Sequence, residues 1–273
     1  MIDVSGISRE NRRVVEDLHR AFSEPFTAAE AAERLDLDPA RARRLTRYLA
    51  DRGWLDRVRR GVYLPVPLDS HQPGRAHMDP WEVGSSVFEP AYIAGWSAAE
   101  HWDLTEQIFR SVLMATARRP RDRNPTIGGT RFVLHTVPTS KHVGLVPVWR
   151  GGSRVHVTDP ARTIVDVLAD PSWGGGIRLV SEMLDEYLHR DDRDDNKLVE
   201  YGDLVGNGAM FKRLGYLLER TDPPADALVH ACRDRRSSGI NDLDPSVNAG
   251  GPILSAWGIR RNVDLGRTGA RAR

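Results

Sequence analysis

Cysteine occurs once in the 273 residues, at position 232, so no internal disulfide can form and nothing points to an oxidising compartment. Lysine is almost as scarce, with only Lys141, Lys197 and Lys212, so nearly all positive charge is carried by arginine. Long apolar runs are missing too. Stretches such as Tyr63 to Pro67 and Ser111 to Ala117 fall far short of the ~18 residues a membrane span needs. The first twenty residues hold Asp3, Arg9 and Glu10 where a secretory leader would have an apolar core, which predicts a cytoplasmic protein. No repeat or extended low-complexity tract is evident.

Hydrophobic residues at 40% and charged residues at 28% suit a folded globular chain, and the length suggests two domains at ~150 residues each. Net charge is only +1, but its distribution is uneven. Between Pro39 and Tyr63 lie Arg41, Arg43, Arg44, Arg47, Arg52, Arg57, Arg59 and Arg60, against Asp51 and Asp56 alone. A local excess of that size suits a polyanionic partner.

The surrounding pattern gives that charge a scaffold. Val14, Val15, Leu18, Ala21 and Phe22 recur at helical spacing, predicting a first helix over 11–22. Thr27 followed by Glu30 is a capping box and opens a second helix over 28–35. Asp38-Pro39 supplies an N-cap and a proline at the first helical position, opening a third helix that ends near Arg52. Ala42, Leu45, Leu49 and Tyr48 are expected to form its buried stripe, leaving Arg41, Arg43, Arg44 and Arg47 outside, joined by Thr46. Residues 53–64 read as two short strands around an Arg-Arg-Gly turn, a wing with Arg57, Arg59 and Arg60 near its tip. Helix, short turn, basic helix and basic hairpin make a winged helix-turn-helix DNA-binding domain over 1–66, with these eight side chains as candidate DNA contacts.

Residues 67–79 have linker composition, and 80–273 form the second domain. Helices are predicted over 81–88 and 96–104, the latter capped by Ser97 with Glu100. Strands are predicted over 111–117, 131–137, 144–149 and 154–157. Helices follow over 160–168, 177–188, 198–206 and 209–219. The fold class is therefore α+β.

Catalytic motifs are incomplete. His189-Arg190-Asp191 and Asn196 match the spacing of a kinase catalytic loop, but no glycine-rich loop, ATP lysine or Asp-Phe-Gly accompanies them. Asp195 and Lys197 lack the strand a nuclease would need. No P-loop and no Gly-x-Ser-x-Gly occurs. His101, His135, His142 and His156 are spread without a close partner, so no metal or other cofactor is expected. Trp81, Trp96, Trp102, Trp149 and Trp173 are read as core. Arg260, Arg261, Arg267, Arg271 and Arg273 make a basic end that could add phosphate contacts or fray.

The ordered blocks of the second domain carry a resemblance. Pro90-Ala-Tyr-Ile-Ala-Gly-Trp-Ser-Ala-Ala-Glu100 with Leu104-Thr-Glu-Gln107, then Val157-Thr-Asp-Pro-Ala-Arg-Thr-Ile-Val-Asp166, Pro171 with Gly174-Gly-Gly176, and Lys212-Arg-Leu-Gly-Tyr-Leu-Leu-Glu219 resemble AbiEi-type antitoxins and related transcriptional regulators. With the basic module ahead, the resemblance spans about residues 9–264. Ala161-Arg162 departs from the acidic residue and lysine usual there, though the basic character survives. The resemblance implies a non-enzymatic protein that represses its own operon by binding operator DNA and opposes a nucleotidyltransferase-type toxin. A regulator without a toxin partner, whose second domain binds a small effector, is the alternative.

Overall fold

In the computed structural model the described residues are 9–22, 25–59, 61–66, 79–150, 153–221, 225–248 and 250–266. They form an α+β fold. No helix among them is long and apolar enough to cross a membrane.

The N-terminal unit runs α1 (Arg9–Ala21), β1 (Phe26–Thr27), α2 (Ala28–Arg34), α3 (Pro39–Asp51), β2 (Leu55–Arg59) and β3 (Val62–Pro65). The capping box at α2 forms as the sequence predicts: the Thr27 N–H donates to Glu30 Oε2 at 2.6 Å, and the Glu30 N–H donates to Thr27 Oγ1 at 3.1 Å. Asp38 Oδ1 accepts from the Ala40 and Arg41 N–H groups at 3.0 and 2.9 Å, fixing the start of α3. Val15, Leu18, Phe26, Ala31, Leu49, Leu55 and Tyr63 close one small core beneath an antiparallel sheet ordered β1-β3-β2. The other side of the hairpin belongs elsewhere. Val58 and Leu64 are buried with Val83, Val87 and Ile127 of the second unit, so the hairpin is wedged between both. Of the expected linker, residues 67–78 lie outside the described residues, and Asp79 caps the next helix.

The second unit is built on a mixed six-stranded sheet. Its strands are β4 (Ala91–Ile93), β5 (Ser111–Thr116), β6 (Thr126–Ile127), β7 (Thr130–Thr136), β8 (Leu145–Arg150) and β9 (Ser153–Thr158), in spatial order β6-β7-β5-β4-β9-β8. The β5/β7 and β4/β9 pairs are parallel. Helices α4 (Pro80–Phe88) and α5 (Gly95–His101) accompany this sheet. Helices α6 (Pro160–Ala169), α7 (Ile177–Leu188), α8 (Asp195–Val205), α9 (Gly208–Leu218) and α10 (Asp226–Arg235) build a second, helical core. Three two-residue strands, β10 (Asn241–Asp242), β11 (Ile253–Leu254) and β12 (Ile259–Arg260), complete the unit.

Two expectations about these elements are corrected. Helix α5 starts at Gly95, before Ser97, and Ser97 makes no capping box. Its Oγ instead accepts the Leu113 N–H at 2.9 Å, tying the helix to β5. Helix α8 starts three residues earlier than predicted because Asp194 caps it, accepting from the Asn196 and Lys197 N–H groups.

Close approaches at glycines hold the helical core together, and Gly215 makes the tightest of them. A Cβ placed on Gly215 would lie 2.0 Å from Trp257 Cη2, and Trp257 is 1% exposed with its indole N–H on Glu219 Oε2 at 2.8 Å. Gly215→Ala is therefore expected to destabilise by about 2 kcal/mol through overpacking, a midpoint loss of roughly 4–8 °C. Thermal unfolding followed by tryptophan fluorescence checks this; an unchanged midpoint would show that Trp257 can move aside.

Candidate nucleic-acid interface

Helix α3 divides its side chains by the geometry of 3.6 residues per turn. Ala42, Thr46 and Leu49 are fully buried, with Leu45 and Ala50 partly covered at the borders. At about 100° per residue, Arg44 and Arg47 project from the opposite side, and Arg41 and Arg43 flank them. All four are exposed. Arg47 has a loose 4.0 Å pairing with Asp51, both side chains being more than two-thirds exposed, which counts for little in water. This leaves a row of cations along a helix whose first turn is held by Asp38.

Thr46 and Tyr48 exchange the places the sequence suggested. Thr46 is 0% exposed, and its hydroxyl donates to the Ala42 carbonyl at 2.9 Å, so it cannot contact DNA from this position. Tyr48 is 37% exposed, beside Arg52, whose guanidinium lies 5.3 Å from the ring centroid. It belongs to the outward side. With Val14, Asp17, Arg34, Arg41 and Arg44 it lines an open groove of about 790 Å³ between α1 and α3. A strict angular count would have found this exchange, since Thr46 falls four residues after Ala42 and three before Leu49.

The turn before α3 is short, with Asp36 in the left-handed region at φ 50° and the Leu37 N–H on the Ala32 carbonyl at 2.9 Å. In the hairpin, Arg57 is exposed on β2. The register between β2 and β3 shifts between Arg57 and Arg59, a bulge of the kind that re-aims side chains at a strand end. The side chain of Arg59 and the whole of Arg60 lie outside the described residues. Thus five of the eight predicted contacts, Arg41, Arg43, Arg44, Arg47 and Arg57, stand exposed on α3 or the hairpin, and Thr46 does not.

The other candidates fall into different surroundings. Asp191 is exposed in the turn between α7 and α8, where neighbouring Arg190 pairs with Asp192 at 2.6 Å and Arg193 with Asp195 at 2.7 Å. Among the described residues no group of three or more His, Cys, Asp or Glu side chains could hold a metal ion. Trp149 is 69% exposed on the edge strand β8, so it is not core as expected, whereas Trp81, Trp96, Trp102 and Trp173 are half-buried. Arg260 is bonded to Asp242 at 3.2 Å, and Arg267, Arg271 and Arg273 lie outside the described residues.

Four charged residues of the blocks that carry the resemblance, Asp159, Arg162, Lys212 and Arg213, turn inward. Arg162 is 2% exposed: its Nε donates to Asp166 Oδ1 at 2.9 Å, and one terminal nitrogen donates to the carbonyls of Lys141 and Val143 at 3.0 and 3.2 Å. Asp159 caps α6 through the Arg162 N–H and also accepts from the Tyr201 hydroxyl at 2.9 Å. Lys212 donates to the Gly239 carbonyl at 2.7 Å and to Asn241 Oδ1 at 2.8 Å. Arg213 donates to carbonyls of Leu168, Ala169, Asp242 and Leu243. These cations are internal ties that hold helices and loops together.

No family model matches the chain, and no curated protein does. Among solved structures, the fold is similar to that in a crystal structure of the RV2827C protein from Mycobacterium tuberculosis, with a TM-score of 0.64 at 20% identity over 93% of this chain and 92% of that one. At that identity the likeness concerns fold.

Proposed function

We propose that this chain is a sequence-specific DNA-binding autorepressor acting in the cytoplasm, with α3 in the major groove and the β2–β3 hairpin as a wing against the adjacent backbone. The observation that carries this reading is the outward row Arg41, Arg43, Arg44 and Arg47 on a capped helix that follows a short turn. Arginine reads guanine edges bidentately and also binds phosphate, so the same row suits both specificity and affinity. From the AbiEi resemblance we extend the proposal to an antitoxin role, in which the chain opposes a nucleotidyltransferase-type toxin encoded beside it.

The test is an anisotropy titration of the full chain against the duplex upstream of its own gene, beside a scrambled duplex, at two salt concentrations. Preference for its own promoter is the expected result, with affinity falling steeply as salt rises. Equal affinity for both duplexes would refute operator recognition. Co-expression with the neighbouring toxin gene tests the antitoxin half separately: growth is expected to be rescued, and rescue should fail when this chain is absent.

A further inference from the structure

A cavity of about 360 Å³, at the small end of the range for small-molecule sites, opens in the second unit, far along the sequence from α3. His135 from β7 and Trp173 from the turn after α6 line it, their rings 4.3 Å apart and inclined by 37°, so the two pack against each other as an aromatic pair. Asp166 and Asp170 come from the last turn of α6 and the residue after it. Lys141, Arg162 and Arg123 add cations to the lining, and Arg123 is exposed in a loop that also holds Arg118, Arg119 and Arg121.

The polar groups differ in how far they are satisfied. Asp170 Oδ1 accepts from both the N–H and the hydroxyl of Ser172. Lys141 Nζ donates to the Val205 carbonyl at 2.6 Å and retains further donors. Asp166 is the exception. Its side chain is 6% exposed, Oδ1 receives Arg162, and Oδ2 is buried with no hydrogen-bond partner among the described residues. A buried acceptor left unmet costs free energy, and a ligand N–H would remove that cost. Burial also pushes His135 downward, which keeps its ring neutral for stacking.

Charge narrows the ligand. Arg123, Lys141 and Arg162 outnumber Asp166 and Asp170, so a free organic cation would meet a net positive site. A neutral planar ring carrying an N–H donor fits the aromatic pair and Asp166, and an anionic tail fits the arginine-bearing mouth. An exocyclic amino group projects beyond its ring and would meet Asp166 Oδ2 when that side chain turns toward the cavity, whereas the ring N–H of uracil is flanked by carbonyls that would face the carboxylate. We infer that this cavity binds a nucleotide whose base carries an exocyclic amino group, with the base stacked against the His135–Trp173 pair, the amino group on Asp166, and the phosphate at Arg123. This does not rest on the DNA-binding reading.

The full chain would be titrated by calorimetry, and its melting followed, with AMP, CMP, UMP, adenosine and ribose 5-phosphate at millimolar concentration. AMP or CMP is expected to raise the midpoint and bind at one site, with UMP and ribose 5-phosphate at least about tenfold weaker. Trp173→Ala should weaken AMP by about tenfold or more through lost stacking. Arg123→Gln, at an exposed position that leaves folding intact, should weaken AMP while adenosine binding stays as in the wild type. The inference is overturned if no compound shifts the midpoint, if ribose 5-phosphate or UMP binds as well as AMP, or if Arg123→Gln leaves AMP affinity unchanged.

Discussion

Arg162→Leu should lower stability by about 3–5 kcal/mol, which corresponds to at least ~6 °C in the unfolding midpoint. The removed guanidinium serves three acceptors at once: Asp166 Oδ1 and the carbonyls of Lys141 and Val143. Leucine fills part of the volume but leaves a buried carboxylate alone. In the wild type burial already pushes the Asp166 carboxyl up to about 6 against the opposing pull of Arg162. The sign follows from linkage. A carboxyl whose folded-state pKa lies above its unfolded value contributes stability below about pH 4 and loses it as pH rises through about 6. Without Arg162 that pKa climbs further, so the deficit of Arg162→Leu should shrink when the pH falls from about 7.5 to about 5. The double variant Arg162→Leu, Asp166→Leu removes both charges and should be more stable at neutral pH than Arg162→Leu alone, though the two loop carbonyls still lack their donor. Denaturant unfolding at two pH values measures all of this. A pH-independent deficit, or a double variant worse than the single one, would mean that the pair does not act as a buried charge couple.

Much of the scaffold is legible from local chemistry. Helix α7 falls at Ile177–Leu188, where apolar spacing after a glycine run predicts it, and β5, β7, β8 and β9 fall within about two residues of their expected ranges. Capping signals at Thr27, Asp38 and Asp159 are local and therefore readable. What local reading misses is defined by distant partners. Strands β10, β11 and β12 have two residues each and exist because Asn241 pairs with Ile259 and Leu254 with the same residue. Helix α10 has weak apolar periodicity and touches the core mainly through Leu228, Val229 and Cys232. The burial of Arg162, Lys212 and Arg213 is not legible because a sequence shows a charge and not the carbonyls it will meet; those carbonyls come from positions 19 to 45 residues away. At the candidate interface the arginines are legible from charge alone, whereas the Thr46–Tyr48 exchange is legible only from helical angle and not from polarity. Position on the helix decides instead, and the Ala42 carbonyl satisfies the buried hydroxyl.

Reversing charge on the outward side of α3 should have the largest effect on binding. Arg44→Glu with Arg47→Glu replaces two cations by two anions at the centre of the row, and is expected to weaken promoter binding by at least about a hundredfold near 0.1 M salt. Folding should survive, because both side chains are exposed and neither touches the Ala42, Thr46 and Leu49 stripe. The control is Arg178→Glu with Arg235→Glu, which makes the same change in net charge on α7 and α10. If α3 binds DNA, the control should lose only what a weaker overall field costs, severalfold at most, and that loss should vanish as salt rises. Substitutions along the row should also separate by role. Arg41→Gln or Arg43→Gln, on the flanks, should lower affinity for promoter and scrambled duplex alike and reduce the salt slope by about one. Arg44→Gln or Arg47→Gln, at the centre, should lower promoter binding more than scrambled binding, by about 1–3 kcal/mol for each lost bidentate base contact. Equal losses for all four on both duplexes would leave α3 as a phosphate-binding helix without sequence readout. Equal losses for the α3 double variant and its control would place the DNA-binding surface elsewhere.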